Sequence, residues 1–540
     1  MTAGLARKPG RGGALRAGAD RCIGHRMGRR TGLSGAALLG LCVASLGAEA
    51  QEAACSALTE WAGGPEDLTI TEAVYAVDRV AAGGPGFGPP QTLPPHCHVV
   101  GSFEHRTGVD GREYAIRFAI NLPDDWNGRF LFQGGGGLNG TLQEPLGAQA
   151  AGGESALARG FAVVSTDSGH TGAVFDASFM ADQQAMLNFQ YQANAKVTEV
   201  ARPIVEHYYG APIGHSYFVG CSTGGREGMI MAQRFPRLFD GIVSGAPAMR
   251  TGVSNLALRW VSVELGKATN PRDPFTPDEE RLIMGALMDR CDALDGQADG
   301  LIFNRSACDF DPRELACSKA PASGSACLAD DKADALARAL GGPVNAAGLP
   351  VYVSFPYDSA LDDAAGLPGL LLAGGSPPEG ASGADMQSQN VDAEYLEAVA
   401  MDEALGTTAT QYNVSTFVVE GGKHIFYHGE GDPWFSANDT VRYFERMTEA
   451  NRNVKPVDDY ARLYLVPGMG HCGGGEKTVD TFDLLTPLVD WVETGTPPGA
   501  VVATGRSMPG ESRPLCPWPE YAHFEGGDPA RAESYSCRAP

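Results

Sequence analysis

The stretch Gly220-Cys221-Ser222-Thr223-Gly224 constrains this chain more than any other. It has the form G-x-S-x-G, in which a serine sits on a sharp turn between a strand and a helix. The flanks predict that context. His215-Ser216-Tyr217-Phe218-Val219 is a short β-prone run. Gly225 to Phe235 reads as a helix, with Met229, Ile230 and Met231 as apolar residues and Pro236 as its stop. A bare five-residue pattern recurs by chance, so its neighbours carry weight. Cys221 stands beside the serine, and a second cysteine stands beside a late histidine in His471-Cys472.

At 540 residues the chain can bury a large core and more than one domain. Its first 50 residues are unlike the rest. Residues 1–26 are rich in Arg and Gly without apolar periodicity, and read as the product of an upstream start codon. From Met27 come Arg29-Arg30, an apolar run from Leu33 to Leu46, and Ala48-Glu49-Ala50. That order is the basic region, short hydrophobic region and A-x-A site of a secretory signal peptide, with cleavage before Gln51. The run is too short to predict a membrane span. A secreted or periplasmic location follows as the expectation.

The leader holds eight basic and two acidic residues, so 33 basic and 63 acidic remain after it, a net charge of −30. Such a chain should repel nucleic acid and anionic membranes. Ten cysteines also remain, an even number that predicts disulfides in an exported chain. Chain neighbours suggest Cys55–Cys97, Cys291–Cys308, Cys317–Cys327 and Cys516–Cys537, which leaves Cys221 and Cys472. Spacing alone does not determine the pairing.

Strand candidates at Arg129–Phe132, Gly160–Ser165, 215–219 and Gly241–Ser244 alternate with helical stretches, among them Asn188–Tyr209. That alternation predicts a parallel sheet flanked by helices. It lapses after about Ala248 and resumes at His424–His428 and Arg462–Val466. The stretch between holds four cysteines, an acidic loop and a Gly/Pro/Ser-rich segment from Gly374 to Gly383. The expected organisation is a leader over 1–50, a first core part over 51–249, an inserted lid over 250–415 and a second core part over 416–540.

An elbow serine needs a histidine base, and the histidine needs a carboxylate to hold its tautomer. In this arrangement the chain order is Ser, acid, His, with the last two on loops after late strands. Asp432 follows the strand ending at His428, and His471 follows the strand ending at Val466. His428 is the competing base, or else a structural hydrogen bonder. The oxyanion donors should be the Thr223 N–H and an N–H of the glycine loop Gly134-Gly135-Gly136-Gly137, which follows an early strand. A Cys221–Cys472 bridge would tie the serine loop to the histidine loop.

Gly-Cys-Ser-Thr-Gly-Gly-Arg-Glu at 220–227 and Pro-Gly-Met-Gly-His-Cys at 467–472 resemble the tannase/feruloyl esterase family. Trp126-Asn127-Gly128-Arg129, Tyr427-His428-Gly429 and Leu484 to Val489 are further matches, and the similarity runs over about 55–540. It is strongest toward the branch that holds the hydrolase of mono(2-hydroxyethyl) terephthalate. The resemblance implies an α/β-hydrolase core with a lid and the triad Ser222, Asp432 and His471. It also implies Gly137 and Thr223 as oxyanion donors, and a bridge between the cysteines beside the serine and the histidine.

The acidic loop Cys291 to Leu301 places three carboxylates at short spacing with two glycines. Hard oxygen ligands suit Ca²⁺. Phe303 stands where an EF-hand would need Glu, so the loop is not one. On spacing alone an Asp-Gly turn cluster is the alternative reading. The resemblance implies a structural calcium held by Asp292, Asp295 and Asp299 with the carbonyls of Gln297 and Leu301.

From Ala339 to Gly422 there is no Lys or Arg, against eleven Asp or Glu. Selecting a terephthalate carboxylate needs a cation, which the resemblance assigns to a lid arginine, and no matching arginine stands here. The segment around 356–415 is also shorter than in that branch. Arg226 and Arg259 are the remaining cations to consider. The expected substrate is therefore a small neutral aromatic ester of feruloyl or galloyl type, with the terephthalate monoester as the alternative. Tyr357, Tyr395, Tyr412 and Phe417 are candidates for an aromatic pocket. A non-catalytic binding protein on the same scaffold would lack Ser, Asp or His, and all three candidates are present.

Overall fold

Strands that are apolar on both faces must be covered on both sides, and the central strands of this chain are of that kind. The computed structural model describes residues 49–81, 90–269, 274–320, 326–364, 366–369, 388–405 and 409–540. Most of the leader and the segment Gly374–Gly383 lie outside the described residues. The chain divides into two units, Met1–Ala50 and Gln51–Pro540, and the architecture is that of the second.

Its main sheet has nine strands: β1 (Thr69–Ala76), β2 (His96–Thr107), β3 (Glu113–Pro123), β4 (Arg129–Gln133), β5 (Ala162–Thr166), β6 (His215–Cys221), β7 (Gly241–Gly245), β8 (Lys423–Gly429) and β9 (Ala461–Val466). They lie in the order β1-β2-β3-β5-β4-β6-β7-β8-β9. From β5 to β9 every pairing is parallel. The first three strands add an antiparallel edge, which the alternation of strands and helices had not announced. Half of the residues of β1 are exposed, and an antiparallel strand tolerates such a wet face.

The helices that matter here are α1 (Ala193–Tyr209), α2 (Thr223–Arg234), α3 (Thr251–Gly266), α4 (Pro277–Cys291), α5 (Asp330–Gly341), α6 (Val391–Leu405), α7 (Ala437–Asn451) and α8 (Leu485–Thr494). The helix expected from Asn188 opens with a π turn over Asn188–Gln192 before α1 begins. Successive strand residues divide between the two faces. Phe130, Phe132, Phe218, Ile242, Phe426 and Leu463 pack with α1, α2 and α7. Leu131, Tyr217, Val219, Val243, Ile425 and Tyr464 pack with α8. This is the α/β-hydrolase architecture, with its parallel strands ending at one common edge.

Between β7 and β8, helices α3 to α6 pack around a core of their own, built on Val253, Leu258, Ile283, Leu336 and Tyr352. α4 starts at a capping box: the Thr276 side chain caps the Glu279 amide, the Glu279 side chain returns to the Thr276 amide, and Pro277 fills the first turn. Among the described residues, no helix is long and apolar enough to cross a membrane.

Candidate active site

β6 ends at Cys221 and α2 begins at Thr223, so Ser222 makes the whole turn. Its φ of 63° and ψ of −123° lie where L-residues rarely go. The turn is held from both sides. Ser222 N–H donates to Gly245 O at 3.0 Å, and its carbonyl accepts from Arg226 N and Ala248 N at 3.0 Å each. The glycines of the motif are steric necessities. A Cβ on Gly220 would come within 2.5 Å of the Gly224 backbone, and one on Gly224 within 2.7 Å of Gly135 O.

Asp432 follows β8 and is buried. His471 Nδ1 donates to its Oδ2 at 2.7 Å. His428 Nε2 reaches the same oxygen at 3.1 Å and Phe435 O at 3.0 Å, while its Nδ1 meets Thr440 Oγ1 at 2.8 Å. Two acceptors at Nε2 place the His428 proton there. His428, the competing base, is thus fully enclosed and acts as a support for the acid. Asp432 Oδ1 accepts the amides of Trp434 at 2.8 Å and Phe435 at 3.1 Å. Burial pushes this carboxyl up, but the charge of His471 and the hydrogen bonds from His428 and His471 outweigh it and hold the group well below the usual range.

Cys221 and Cys472 are bridged, with Cα atoms 6.0 Å apart. Ser222 and His471 are the chain neighbours of these two cysteines. Nδ1 of His471 is committed to Asp432, which leaves Nε2 as the nitrogen for a serine proton. The other bridges join Cys55–Cys97, Cys291–Cys308, Cys317–Cys327 and Cys516–Cys537.

The glycine loop lies against the start of α2. Gly224 N donates to Gly135 O at 3.0 Å, and the Thr223 hydroxyl donates to Gly137 O. Gly137 has φ 57°, and a Cβ there would meet Val174 Cγ1 at 2.7 Å. Gly135 and Leu138 spend their amides on Glu227 Oε2 (2.9 Å) and Val174 O (2.8 Å). Among the described residues, no protein acceptor takes the amide of Gly137 or of Thr223. Both candidate oxyanion donors are therefore free to serve a ligand.

The family described as tannase and feruloyl esterase matches residues 97–373 and 379–538. The chain belongs to the tannase and feruloyl esterase family. It is 36% identical to a mono(2-hydroxyethyl) terephthalate hydrolase from Piscinibacter sakaiensis, over 91% of this chain and 92% of that protein. It is 27% identical to a probable feruloyl esterase from Arthroderma benhamiae, over 88% of this chain and 91% of that one. Feruloyl esterase B from Aspergillus oryzae superposes with a TM-score of 0.74 at 22% identity, covering 90% of this chain and all (100%) of the other. The chain is a carboxylic ester hydrolase of this family.

Two residues that sequence reasoning left without a role brace the candidate site. Glu227 is buried and clamps the glycine loop, accepting Gly135 N at 2.9 Å and Asn139 Nδ2 at 2.8 Å. Asp358, from the helical insertion, is buried and accepts Gly468 N of the histidine loop at 2.9 Å. Glu227 ends the motif block 220–227, but its contacts arise only on folding.

Other candidates fall away from the reacting atoms. Arg226 is buried and donates to Gln190 O at 2.8 Å, behind the elbow. Arg259 is paired with Glu394 at 3.2 Å. Phe417 is core, Tyr412 packs on Tyr443, Tyr357 meets Phe310 edge-on, and Tyr395 joins the core of the insertion. Among the described residues, the ring partners of these four do not include Ser222, Asp432 or His471. The aromatic residues beside His471 are Trp434 and Phe435.

In the acidic loop the donors are all oxygen, which suits a hard cation. Asp292 and Asp295 are buried. Burial pushes the Asp295 carboxyl up to about 7, and the charges of Asp299 and Asp292 add to the rise. The carboxylates are turned elsewhere, however: Asp292 to Gly300 N at 2.9 Å, Asp299 to Arg513 at 2.6 Å. Among the described residues, no three His, Cys, Asp or Glu side chains converge as a metal site.

The Glu227→Gln substitution keeps the shape and removes a charged acceptor. Expected is a kcat lower by roughly ten- to a hundredfold, the worth of a hydrogen bond to a charged group, with little change in KM. Unchanged kcat in steady-state assays would remove Glu227 from the oxyanion support.

Burial pushes the Asp358 carboxyl up to about 6, partly offset by its bonds to Ala360 and Gly468. A carboxyl raised in the folded state favours folding below its unfolded pKa of about 4, and that contribution is lost as pH rises through about 6. Asp358→Asn does not titrate. Its melting temperature relative to the parent should therefore climb between pH 4 and pH 8, by the equivalent of roughly 3 kcal/mol at most. A flat difference across that range counts against the assignment.

Proposed function

We propose that the protein is an exported serine esterase of small, neutral aromatic esters of the feruloyl or galloyl type. The observation that carries the chemistry is the 2.7 Å contact between His471 Nδ1 and Asp432 beside the Cys221–Cys472 bridge. His471 Nε2 takes the proton of Ser222 Oγ as that oxygen bonds to the ester carbonyl carbon. The Gly137 and Thr223 N–H groups hold the oxyanion. The carbon–alkoxide bond then breaks, and the leaving oxygen takes the proton from His471. Water, deprotonated by His471, attacks the acyl-enzyme, releases the acid and restores Ser222. Asp432 keeps the tautomer throughout.

The choice of a neutral ester rests on the stretch Ala339–Gly422, which has no Lys or Arg, and on the pairing of Arg259 with Glu394. The helical insertion serves as the lid that shapes the acyl site. A second reading, hydrolysis of mono(2-hydroxyethyl) terephthalate, is favoured by the 36% identity to the hydrolase of that name. Purified residues 51–540 and a Ser222→Ala control, assayed on methyl ferulate, methyl gallate and mono(2-hydroxyethyl) terephthalate, separate the two. Expected is higher kcat/KM on the phenolic methyl esters and a folded, inactive control. Preference for the terephthalate monoester would overturn the charge argument, and turnover by the control would overturn the nucleophile.

Calcium in the acidic loop belongs to the same proposal. Asp292, Asp295 and Asp299, with the Gln297 and Leu301 carbonyls, would hold it on turning from their amide and Arg513 partners, and its role is to offset the loop carboxylates, two of them buried, rather than to act in the reaction. A chelator should lower the melting temperature by several degrees and Ca²⁺ should restore it. Identical melts with and without chelator exclude a structural calcium.

A further inference from the structure

Large apolar side chains left in water at a reacting centre point to a ligand. Phe175 is 71% exposed, Val174 50% and Trp434 37%. They come from two loops at the same sheet edge, one following β5 and the other following β8. Across the gap the rings of Phe175 and Trp434 stack, with centroids 6.0 Å apart and planes 18° apart. The Trp434 ring lies 6.4 Å from the His471 ring. Val174 packs on the other end of the site, since Leu138 N donates to its carbonyl at 2.8 Å and its Cγ1 occupies the place of a Gly137 Cβ. The apolar strip thus runs from the oxyanion loop to the catalytic histidine.

The strip is anchored to the triad itself. Asp432 Oδ1 holds the Trp434 amide at 2.8 Å, so the residue that orients His471 also fixes the backbone that carries the indole. Folding gains little from Phe175, which buries under a third of its surface. A flat π surface of this kind rewards a stacked ring.

We infer that Phe175 and Trp434 form an aromatic shelf that binds the alcohol part of the ester, so that esters of aryl or arylalkyl alcohols are preferred over simple alkyl esters. The side is decided by proton transfer. The leaving oxygen must come within hydrogen-bond reach of His471 Nε2 to be protonated, so the group attached to that oxygen lies on the histidine side, where the shelf is. This rests on the proposed esterase chemistry but not on the identity of the acyl group.

The test therefore varies only the alcohol. Ethyl and 2-phenylethyl esters of ferulate and of butyrate are compared in the parent, in Phe175→Ala and in Trp434→Leu, each checked by thermal melt. The parent should favour the 2-phenylethyl ester at least tenfold in kcat/KM within each acyl series. Phe175→Ala should cut that ratio at least fivefold, mainly through KM, and Trp434→Leu should do the same. A parent ratio near one, or a ratio unmoved in both folded variants, overturns the shelf. Variants that lower the ferulate-to-butyrate ratio instead would put the shelf on the acyl side and equally overturn this assignment. Failure of the parent to cleave any of the four esters would count against the esterase reading itself.

Discussion

The contacts of the Asp432 carboxylate are those on which the candidate active site depends. A buried carboxylate costs several kcal/mol unless its oxygens are satisfied. Here one oxygen serves His471 and His428, and the other serves the amides of Trp434 and Phe435. The same four bonds set the histidine tautomer and fix the backbone of the loop after β8 that carries Trp434. His428 adds rigidity, because Thr440 of α7 holds its far nitrogen at 2.8 Å. The acid is therefore positioned by the scaffold before any substrate arrives.

The second requirement is to bring Ser222 and His471 together across a long insertion. Their cysteine neighbours are 251 residues apart in sequence. In the chain-entropy account, closing such a loop removes about 5 kcal/mol of freedom from the unfolded chain. The insertion adds fastenings of its own. Asp358 holds Gly468, Asp363 holds Glu476 N at 2.9 Å, and Ser436 Oγ donates to Ser354 O at 2.6 Å. Arg305 reaches Glu430, two residues before the acid, at 2.8 Å. The helical layer is thus part of the mount for both the acid loop and the histidine loop.

Much of this was legible in the chain. The elbow was readable because its glycines are forced by backbone contact, and the strands from Arg129 onward because both their faces are apolar. Asp432 and His471 followed from their places after late strands. The antiparallel edge was not readable, since β1 is half exposed without regular alternation and an antiparallel strand carries no crossover helix to mark it. Glu227 and Asp358 escaped because an acidic residue that caps a distant amide has no local signature. Of the four rings offered for the pocket, Phe417 is buried in the core and Tyr357, Tyr395 and Tyr412 are half-buried against core clusters. Phe175 and Trp434 sit in loops whose local pattern gives no reason to prefer them.

Backbone strain is distributed in step with this mounting. Among the described residues, Asn139, Ser168, Ser222, Ala246 and Cys472 are non-glycine residues at positive φ on loops that follow β4, β5, β6, β7 and β9. Such conformations cost about 1–3 kcal/mol each and persist only where the surroundings over-determine them. Each of these residues has that support: Asn139 through Glu227, Ser168 through its N–H donating to Thr166 Oγ1, Ser222 through Gly245, Ala246 through Tyr427 O, and Cys472 through its bridge. These supports keep the loops from relaxing into more favourable turns that would withdraw the donors. The clamps and the strained turns therefore imply each other, and the stability of the core is what holds the oxyanion loop, the serine and the histidine in a geometry none of them would adopt alone.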